Sequence, residues 1–160
     1  PCGYYNHPDK DCVCSPGIVK SYLNKISGPL MDRIDLHVEV TPVPFSELAD
    51  TKAGVKSDIV RQRVISAGKI QSHRFKNQKE IHNNAQMGTK DLSTYCQLDE
   101  SGRNLLKIAM EKLSLSARAY DRIIKVSRTI ADLDNSETIK TDHLAEAIQY
   151  RSLDRENWGS

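Results

Sequence analysis

Three consecutive stretches with helical apolar periodicity fill the second half of the chain, and they constrain the fold more than any other feature. They run over residues 99–113, 116–134 and 141–148. Asp99 opens the first, where an acidic residue favours the positive end of a helix. Ser116 is a suitable N-cap for the second. Because each helix must bury its apolar face and the links are short, the sequence predicts a small helical bundle.

Weaker helical patterns precede this bundle. Residues 55–75 carry a rough apolar stripe among basic residues and predict one long helix. The polar stretch 77–88 predicts a connector, and 89–95 a short helix. Nearer the start, 18–26 has helical spacing, and Ser15 followed by a proline suits a helix start. The predicted fold is therefore mainly α.

One stretch departs from helical spacing. Apolar and polar residues alternate over 34–40, which is the pattern of a half-buried strand. Gly28-Pro29 predicts a tight turn shortly before it, with glycine supplying unusual backbone angles. Arg33 would then stand at the entrance of a strand, on a stiff corner that suits a functional cation. An alternative stays open, in which Arg33 is a surface charge paired locally with Asp32 and Asp35.

The composition is that of an ordinary globular protein. With 160 residues, 38% of them apolar and 28% charged, the chain can bury one modest core or two small ones. It contains no run of about 18 apolar residues and no signal-peptide pattern, so the expected setting is cytoplasmic, without a membrane. The net charge of +2 does not identify a partner.

The charge is unevenly distributed, because residues 52–82 are locally basic. Cations at this density can neutralise the phosphates of a nucleic acid backbone. The alternative is the solvated face of a long helix, since few aromatic residues are interleaved. The candidate DNA contacts are Lys56, Arg61, Arg63, Lys69 and Arg74.

Three of the four cysteines, Cys2, Cys12 and Cys14, lie in an irregular loop over residues 1–16, far from Cys96. Their spacing is not the two-residue pairing of common zinc ribbons. A metal site and a loop with free thiols are both compatible with it.

Several motifs resemble those of the magnesium-chelatase-like AAA+ ATPases, a family that includes the ComM-type (YifB) competence helicases. The resemblance covers nearly the whole chain. It is carried by Cys2-Gly3-Tyr4-Tyr5, Ser27-Gly28-Pro29-Leu30-Met31-Asp32-Arg33-Ile34-Asp35-Leu36 and Leu115-Ser116-Ala117-Arg118-Ala119-Tyr120.

The resemblance implies roles for two arginines. Arg33 takes the place of the arginine finger, which one subunit offers to the nucleotide of its neighbour. Arg118 takes the place of sensor 2, which contacts the phosphates of the subunit's own nucleotide. The implied fold is the last piece of an AAA+ α/β core, with one or two strands, followed by a helical lid. The implied ligand is ATP with Mg²⁺.

The resemblance also implies a hexameric parent protein that drives DNA branch migration. Two alternatives are a metal-chelatase-type ATPase subunit that remodels a partner protein, and a helical interaction module without catalysis. No Walker A or Walker B motif occurs here, so we expect a C-terminal fragment that is inactive alone. Its expected divisions are 1–44 (core), 45–98 (basic helix and connector) and 99–160 (lid).

In the same family the cysteine loop holds four cysteines, the first of which would lie immediately before Pro1. The resemblance therefore implies a structural zinc ion bound by Cys2, Cys12 and Cys14, with His7 as a substitute ligand.

Overall fold

The computed structural model describes residues 1–5, 7–40, 42–43 and 54–151. Seven α-helices lie within these ranges, which contain no β-strand. They are α1 (Pro16–Leu23), α2 (Gly28–Met31), α3 (Ser57–Arg74), α4 (Thr89–Tyr95), α5 (Glu100–Lys112), α6 (Ala117–Leu133) and α7 (Thr141–Gln149), with a 3₁₀ turn at Asn84–Gln86. Lys52 and the expected boundary between residues 44 and 45 lie outside the described residues.

The predicted helix starts of the bundle are confirmed, and side chains hold them. The Asp99 carboxylate accepts a hydrogen bond from the Gly102 amide at 2.7 Å. The Ser116 hydroxyl accepts one from the Ala119 amide at 3.2 Å. These bonds satisfy amides that have no partner within their own helix. The chain therefore encodes the ends of α5 and α6 locally.

Helix α6 lies at the centre of the bundle. It packs against α7, α3, α4 and the 3₁₀ turn, while α5 packs against α7. Its buried face includes Ala119, Ile123 and Ala131, each with no solvent exposure. The other buried members of the apolar core are Phe75, Met87, Cys96, Leu106, Ile124, Ile139, Leu144 and Ala147. The core thus joins residues from the end of α3 to α7.

The prediction of a strand over residues 34–40 is wrong. Val38 and Val40 are 65% and 87% exposed, whereas the polar His37 is buried. The His37 amide donates to the carbonyl of Tyr150 at the end of α7, at 2.9 Å. A strand needs a neighbouring strand to complete its hydrogen bonds. Among the described residues this segment contacts the end of a helix and no second strand. Alternation of apolar and polar residues is therefore not sufficient for a strand here.

The turn before Arg33 also differs from expectation. Gly28 and Pro29 begin α2, a single helical turn in which proline is tolerated because the first amides are free anyway. Among the described glycines only Gly3 has a positive φ, of 84°. The chain then turns at Asp32 and Arg33.

The long helix predicted before the bundle is present as α3, but most of its apolar stripe is uncovered. Its buried residues are Ala67 and Gln71, near its C-terminal end. Ile59, Val60 and Val64 are 47% to 59% exposed. Within the described ranges, no helix has the length and apolar character needed to cross a bilayer.

Candidate functional site

Arg33 lies on the exposed turn that follows α2. Its amide donates to the Leu30 carbonyl at 3.0 Å, which continues the helical turn by one residue. The guanidinium is exposed, and within the described part of the chain no carboxylate forms an ion pair with it. Its charge is therefore directed to solvent.

Both acidic neighbours of Arg33 are engaged elsewhere. Asp35 forms an ion pair with Arg122 of α6. Asp32 lies 3.9 Å from the guanidinium of Arg151, which is 1% exposed and follows α7. The same guanidinium donates to the carbonyl of Ile34. The locally paired arrangement of Arg33 is thus absent from the described residues, and the turn is attached to the bundle on both sides of Arg33.

Arg118 lies in the first turn of α6 and is exposed. No described carboxylate pairs with it. A cation at this position opposes the helix dipole, at a cost of some tenths of a kcal/mol. Arg122 follows one helical turn later on the same side of α6. The helix that presents Arg118 therefore also holds the turn that presents Arg33.

The structure brings together the three cysteines of the N-terminal loop. The sulfur atoms of Cys2, Cys12 and Cys14 all lie within 4.8 Å of one another. Cys2 Sγ and Cys12 Sγ are 3.5 Å apart. Zinc–sulfur bonds of about 2.3 Å place tetrahedral ligands about 3.8 Å apart. Three corners of such a site are thus already close to the required spacing.

One of the three thiols is favoured as a thiolate. The amide of Tyr4 lies 3.4 Å from Cys2 Sγ and, with further hydrogen bonds from Val13, Cys12 and Cys14, lowers the pKa of Cys2 to about 6. The neighbouring Cys2 in turn raises the pKa of Cys12, so the two thiols do not both ionise readily without a metal. The thiolate is the form that binds metals. His7 is not part of the described cluster, because its Nδ1 accepts from the Asp9 amide at 3.1 Å.

The candidate DNA contacts separate into two groups. Arg61, Arg63 and Lys69 are exposed along α3, and Lys56 is exposed immediately before it. Arg74 is different, because its guanidinium donates to both carboxylate oxygens of Asp132, at 2.7 and 2.5 Å, and to the side chain of Asn84. Arg74 therefore joins α3 to α6, and four cations are left for an external partner.

Asp132 is the centre of a buried polar cluster that the sequence reasoning missed. The carboxylate has no exposure and also accepts from Asn84 at 2.8 Å and from Arg128 at 3.2 Å. Arg128 in turn donates to the carbonyls of Ser136 and Glu137 beyond α6. Burial lowers the pKa of Arg128, while Asp132 opposes that effect. A signal was present, because Arg128 and Asp132 are four residues apart on the apolar side of α6.

With the geometry described, comparison with known proteins identifies the class. Residues 54–151 match the family model of magnesium chelatase, subunit ChlI C-terminal, and residues 1–48 match that of magnesium chelatase, subunit ChlI. The chain belongs to this magnesium chelatase family.

Individual relatives place it near ComM and YifB. It is 42% identical over 142 residues to the competence protein ComM of Haemophilus influenzae, an alignment that covers 88% of this chain and 27% of the relative. It is 39% identical over 158 residues to YifB of Escherichia coli (strain K12), covering 97% of this chain and 29% of the relative. The chain thus spans less than a third of the length of these relatives.

Proposed function

We propose that the full-length protein is a hexameric AAA+ ATPase that uses ATP with Mg²⁺ to remodel DNA, with branch migration as its activity. In this proposal the protein works in the cytoplasm, and the chain described here supplies two of its nucleotide-contacting arginines. Arg33 acts as the arginine finger on the nucleotide of a neighbouring subunit. Arg118 acts as sensor 2, in a helical lid, on the subunit's own nucleotide.

The observation that carries this proposal is the exposure of the Arg33 guanidinium on a turn whose two acidic residues pair with other arginines. Asp32 and Asp35 pair with arginines of the bundle, while the guanidinium between them is exposed without a described carboxylate partner. Negative charge builds up on the transferred group during phosphoryl transfer, and a planar guanidinium stabilises it better than a lysine does. An arginine held on a fixed turn and free of its acidic neighbours is suited to this role.

Arg118 supports the proposal from α6. It is exposed in a first turn, where a cation is mildly unfavourable and where a nucleotide phosphate would supply the missing negative charge. Binding of the phosphate would then offset the cost of placing a cation there. Its effect should appear in the subunit's own nucleotide affinity.

A zinc ion is a further part of the proposal. Cys2, Cys12 and Cys14 would hold it, and the ion would crosslink a loop that has little apolar content of its own. A tetrahedral structural site needs a fourth ligand besides these three thiolates.

DNA is the proposed partner of α3. The four exposed cations lie on this helix or immediately before it, and the N-terminal half of the helix has no buried residue among those described. Cations on a projecting helix can reach a phosphate backbone without rearrangement of the bundle.

The test is an ATPase assay on the full-length protein, with and without DNA. We expect Arg33→Ala to lower kcat by about 10³-fold or more, the range in which arginine fingers contribute. We expect Arg118→Ala to weaken nucleotide binding. Arg103→Ala serves as control, because Arg103 is exposed on α5 and its guanidinium donates only to the Leu98 carbonyl among the described residues. Unchanged turnover in Arg33→Ala would sink the proposal.

A second candidate is a metal-chelatase-type subunit that remodels a partner protein, favoured by the name of both matching family models. DNA-stimulated ATPase activity supports the first candidate, and activity indifferent to DNA supports the second. A helical module without catalysis predicts no nucleotide-dependent assembly of the full-length chain.

A further inference from the structure

We propose that Cys2 and Cys12 form a site of reversible oxidative crosslinking, at which a hydroperoxide joins their two sulfur atoms in a disulfide bond. The inference stands on the geometry of the cysteine loop and holds for the loop without a metal. Its consequence for zinc rests on the proposed function, because the crosslink would remove two of the three thiolates that were assigned to the ion.

The two sulfur atoms are already in contact. Cys2 Sγ and Cys12 Sγ lie 3.5 Å apart. A disulfide bond is about 2.05 Å long, so the sulfurs need to approach each other by about 1.5 Å. Two cysteines can be bridged without backbone movement only if their side chains point toward each other. These two meet that condition, and rotation of the side chains supplies the remaining approach.

Backbone hydrogen bonds hold Cys2 in this position. Its amide donates to Cys14 Sγ at 3.0 Å, and the amide of Tyr4 donates to Cys2 Sγ at 3.4 Å. Gly3 between them has a φ of 84°, which glycine adopts without the steric cost that other residues incur. The close approach of the sulfurs is therefore a property of the loop itself and does not require a bound ion.

The same contacts select Cys12 over Cys14 as the partner. Cys14 Sγ lies against the backbone nitrogen of Cys2 and accepts its hydrogen bond. A bridge between Cys12 and Cys14 would enclose only Val13, and so short a ring demands backbone movement. Cys96 is buried in the core of the bundle. The geometry thus predicts one pairing among the four cysteines.

The reaction needs an oxidant that can reach the sulfurs. Cys2 and Cys12 are both partly exposed, so a small hydroperoxide has access to them. The first sulfur attacks the O–O bond, becomes a sulfenic acid and releases an alcohol, or water when the oxidant is hydrogen peroxide. The second sulfur then attacks the sulfenic sulfur, the S–S bond forms, and the hydroxyl group leaves as water with the proton of the second thiol. The thiol pair loses two electrons, and the hydroperoxide gains them.

The crosslink is incompatible with a zinc ion at the same place. Zinc is bound by thiolates, and a sulfur in a disulfide is no longer one. Of the three assigned ligands, only Cys14 would keep a free thiol. Oxidation should therefore release zinc, and a dithiol reductant should restore the site through thiol–disulfide exchange.

The test uses the full-length protein, reduced, freed of zinc with a chelator and treated with hydrogen peroxide in about 0.1 mM glutathione. A tethered thiol acts at an effective concentration in the millimolar range, so the neighbouring cysteine should outcompete glutathione by about 10-fold or more. After alkylation and digestion, mass spectrometry should find the Cys2–Cys12 crosslink in most molecules. Glutathione adducts at either residue should be rarer by that factor.

Variants of the same loop provide the controls. Cys12→Ser should abolish the crosslink and leave Cys2 open to glutathione. Cys14→Ser removes a thiol of similar exposure from the same loop and should retain the crosslink. Glutathione adducts in place of the crosslink in the wild-type protein overturn the inference. A bridge from Cys2 or Cys12 to any other cysteine overturns it as well.

A zinc-loaded sample separates this inference from the proposed zinc site, with a chromogenic chelator reporting released metal. Zinc release in proportion to the crosslink supports both. A protein that forms the crosslink but binds no zinc refutes the zinc site and leaves the crosslink standing. A protein that binds zinc but forms no crosslink after its removal refutes the crosslink alone. Crosslinked molecules that retain their zinc refute the release step.

Discussion

Replacing Asp132 with asparagine removes the one carboxylate at the centre of the buried polar cluster. Asp132 has no exposure, and it accepts four hydrogen bonds from Arg74, Asn84 and Arg128 at 2.5 to 3.2 Å. The side-chain amide introduced by Asp132→Asn would direct an NH₂ group at these donors. The substitution would also leave two guanidinium groups close together without a counter-charge.

The magnitude follows from the burial of the partners. Arg128 is 2% exposed, so its charge cannot be rehydrated without opening the bundle. Breaking a buried ion pair by removing one partner costs about 3 to 5 kcal/mol. Domains are stable by only about 5 to 15 kcal/mol, so this is a large fraction. At about 2 to 4 °C per kcal/mol for a domain of this size, the expected fall in Tm is about 6 to 20 °C.

Urea unfolding of the 160-residue chain, followed by circular dichroism, measures this effect. The matched control is Asp121→Asn, which removes an exposed carboxylate from the same helix α6. That control should change stability by no more than about 0.5 kcal/mol. A loss below about 1 kcal/mol in Asp132→Asn would refute the view that the carboxylate holds α3 and α6 together.

Three further predictions concern pH, metal and DNA. The hydrogen bond from His143, together with the charge of Lys140, lowers the pKa of Asp134 in the folded state. The stability that ionised Asp134 contributes is therefore present above its ordinary pKa of 3.8, and it is lost as the pH falls through the lower pKa of the folded state. The difference in Tm between wild type and Asp134→Asn should therefore shrink when melts are repeated at decreasing pH, and a constant difference would contradict this. In the full-length protein Cys12→Ser should lower the zinc content measured by plasma mass spectrometry, whereas Cys96→Ala should not; equal content in both would discard the zinc site. Arg61→Gln should reduce the slope of log K against log salt for DNA binding by about 1, and an unchanged slope removes α3 from the DNA interface.

Local chemistry lets the sequence predict most of the helices. The bounds of α4 match the prediction at both ends, and the starts of α5 and α6 follow from Asp99 and Ser116. A capping side chain and its target amide are three residues apart, so nothing distant is needed to identify them. Helical periodicity is similarly local, because it records only which side of the helix is apolar.

The contacts that hold the site are not predictable in the same way. The alternation over residues 34–40 is typical of a strand, but strand formation depends on a partner that the segment itself does not encode. The links from Asp35 to Arg122 and from Ile34 to Arg151 join residues far apart in sequence. In the sequence Arg74 is one more cation of a basic helix, and only the fold brings it to its distant partner Asp132. Charge pairing across the fold is a property of the folded structure, and composition does not reveal it.

The exposed aliphatic row at Ile34, Leu36, Val38 and Val40 has a practical consequence for handling the protein. These side chains are 40% to 87% exposed, so much of their apolar surface stays in contact with water in the folded, described part of the chain. Full burial of such a side chain contributes about 1.5 to 3 kcal/mol, so association of the row with another apolar surface is favourable. An exposed apolar segment of this kind also favours intermolecular pairing. Solubility of the isolated chain will therefore be limited by this row, and threonine at Val38 and Val40 is the substitution that raises it while keeping the backbone preference.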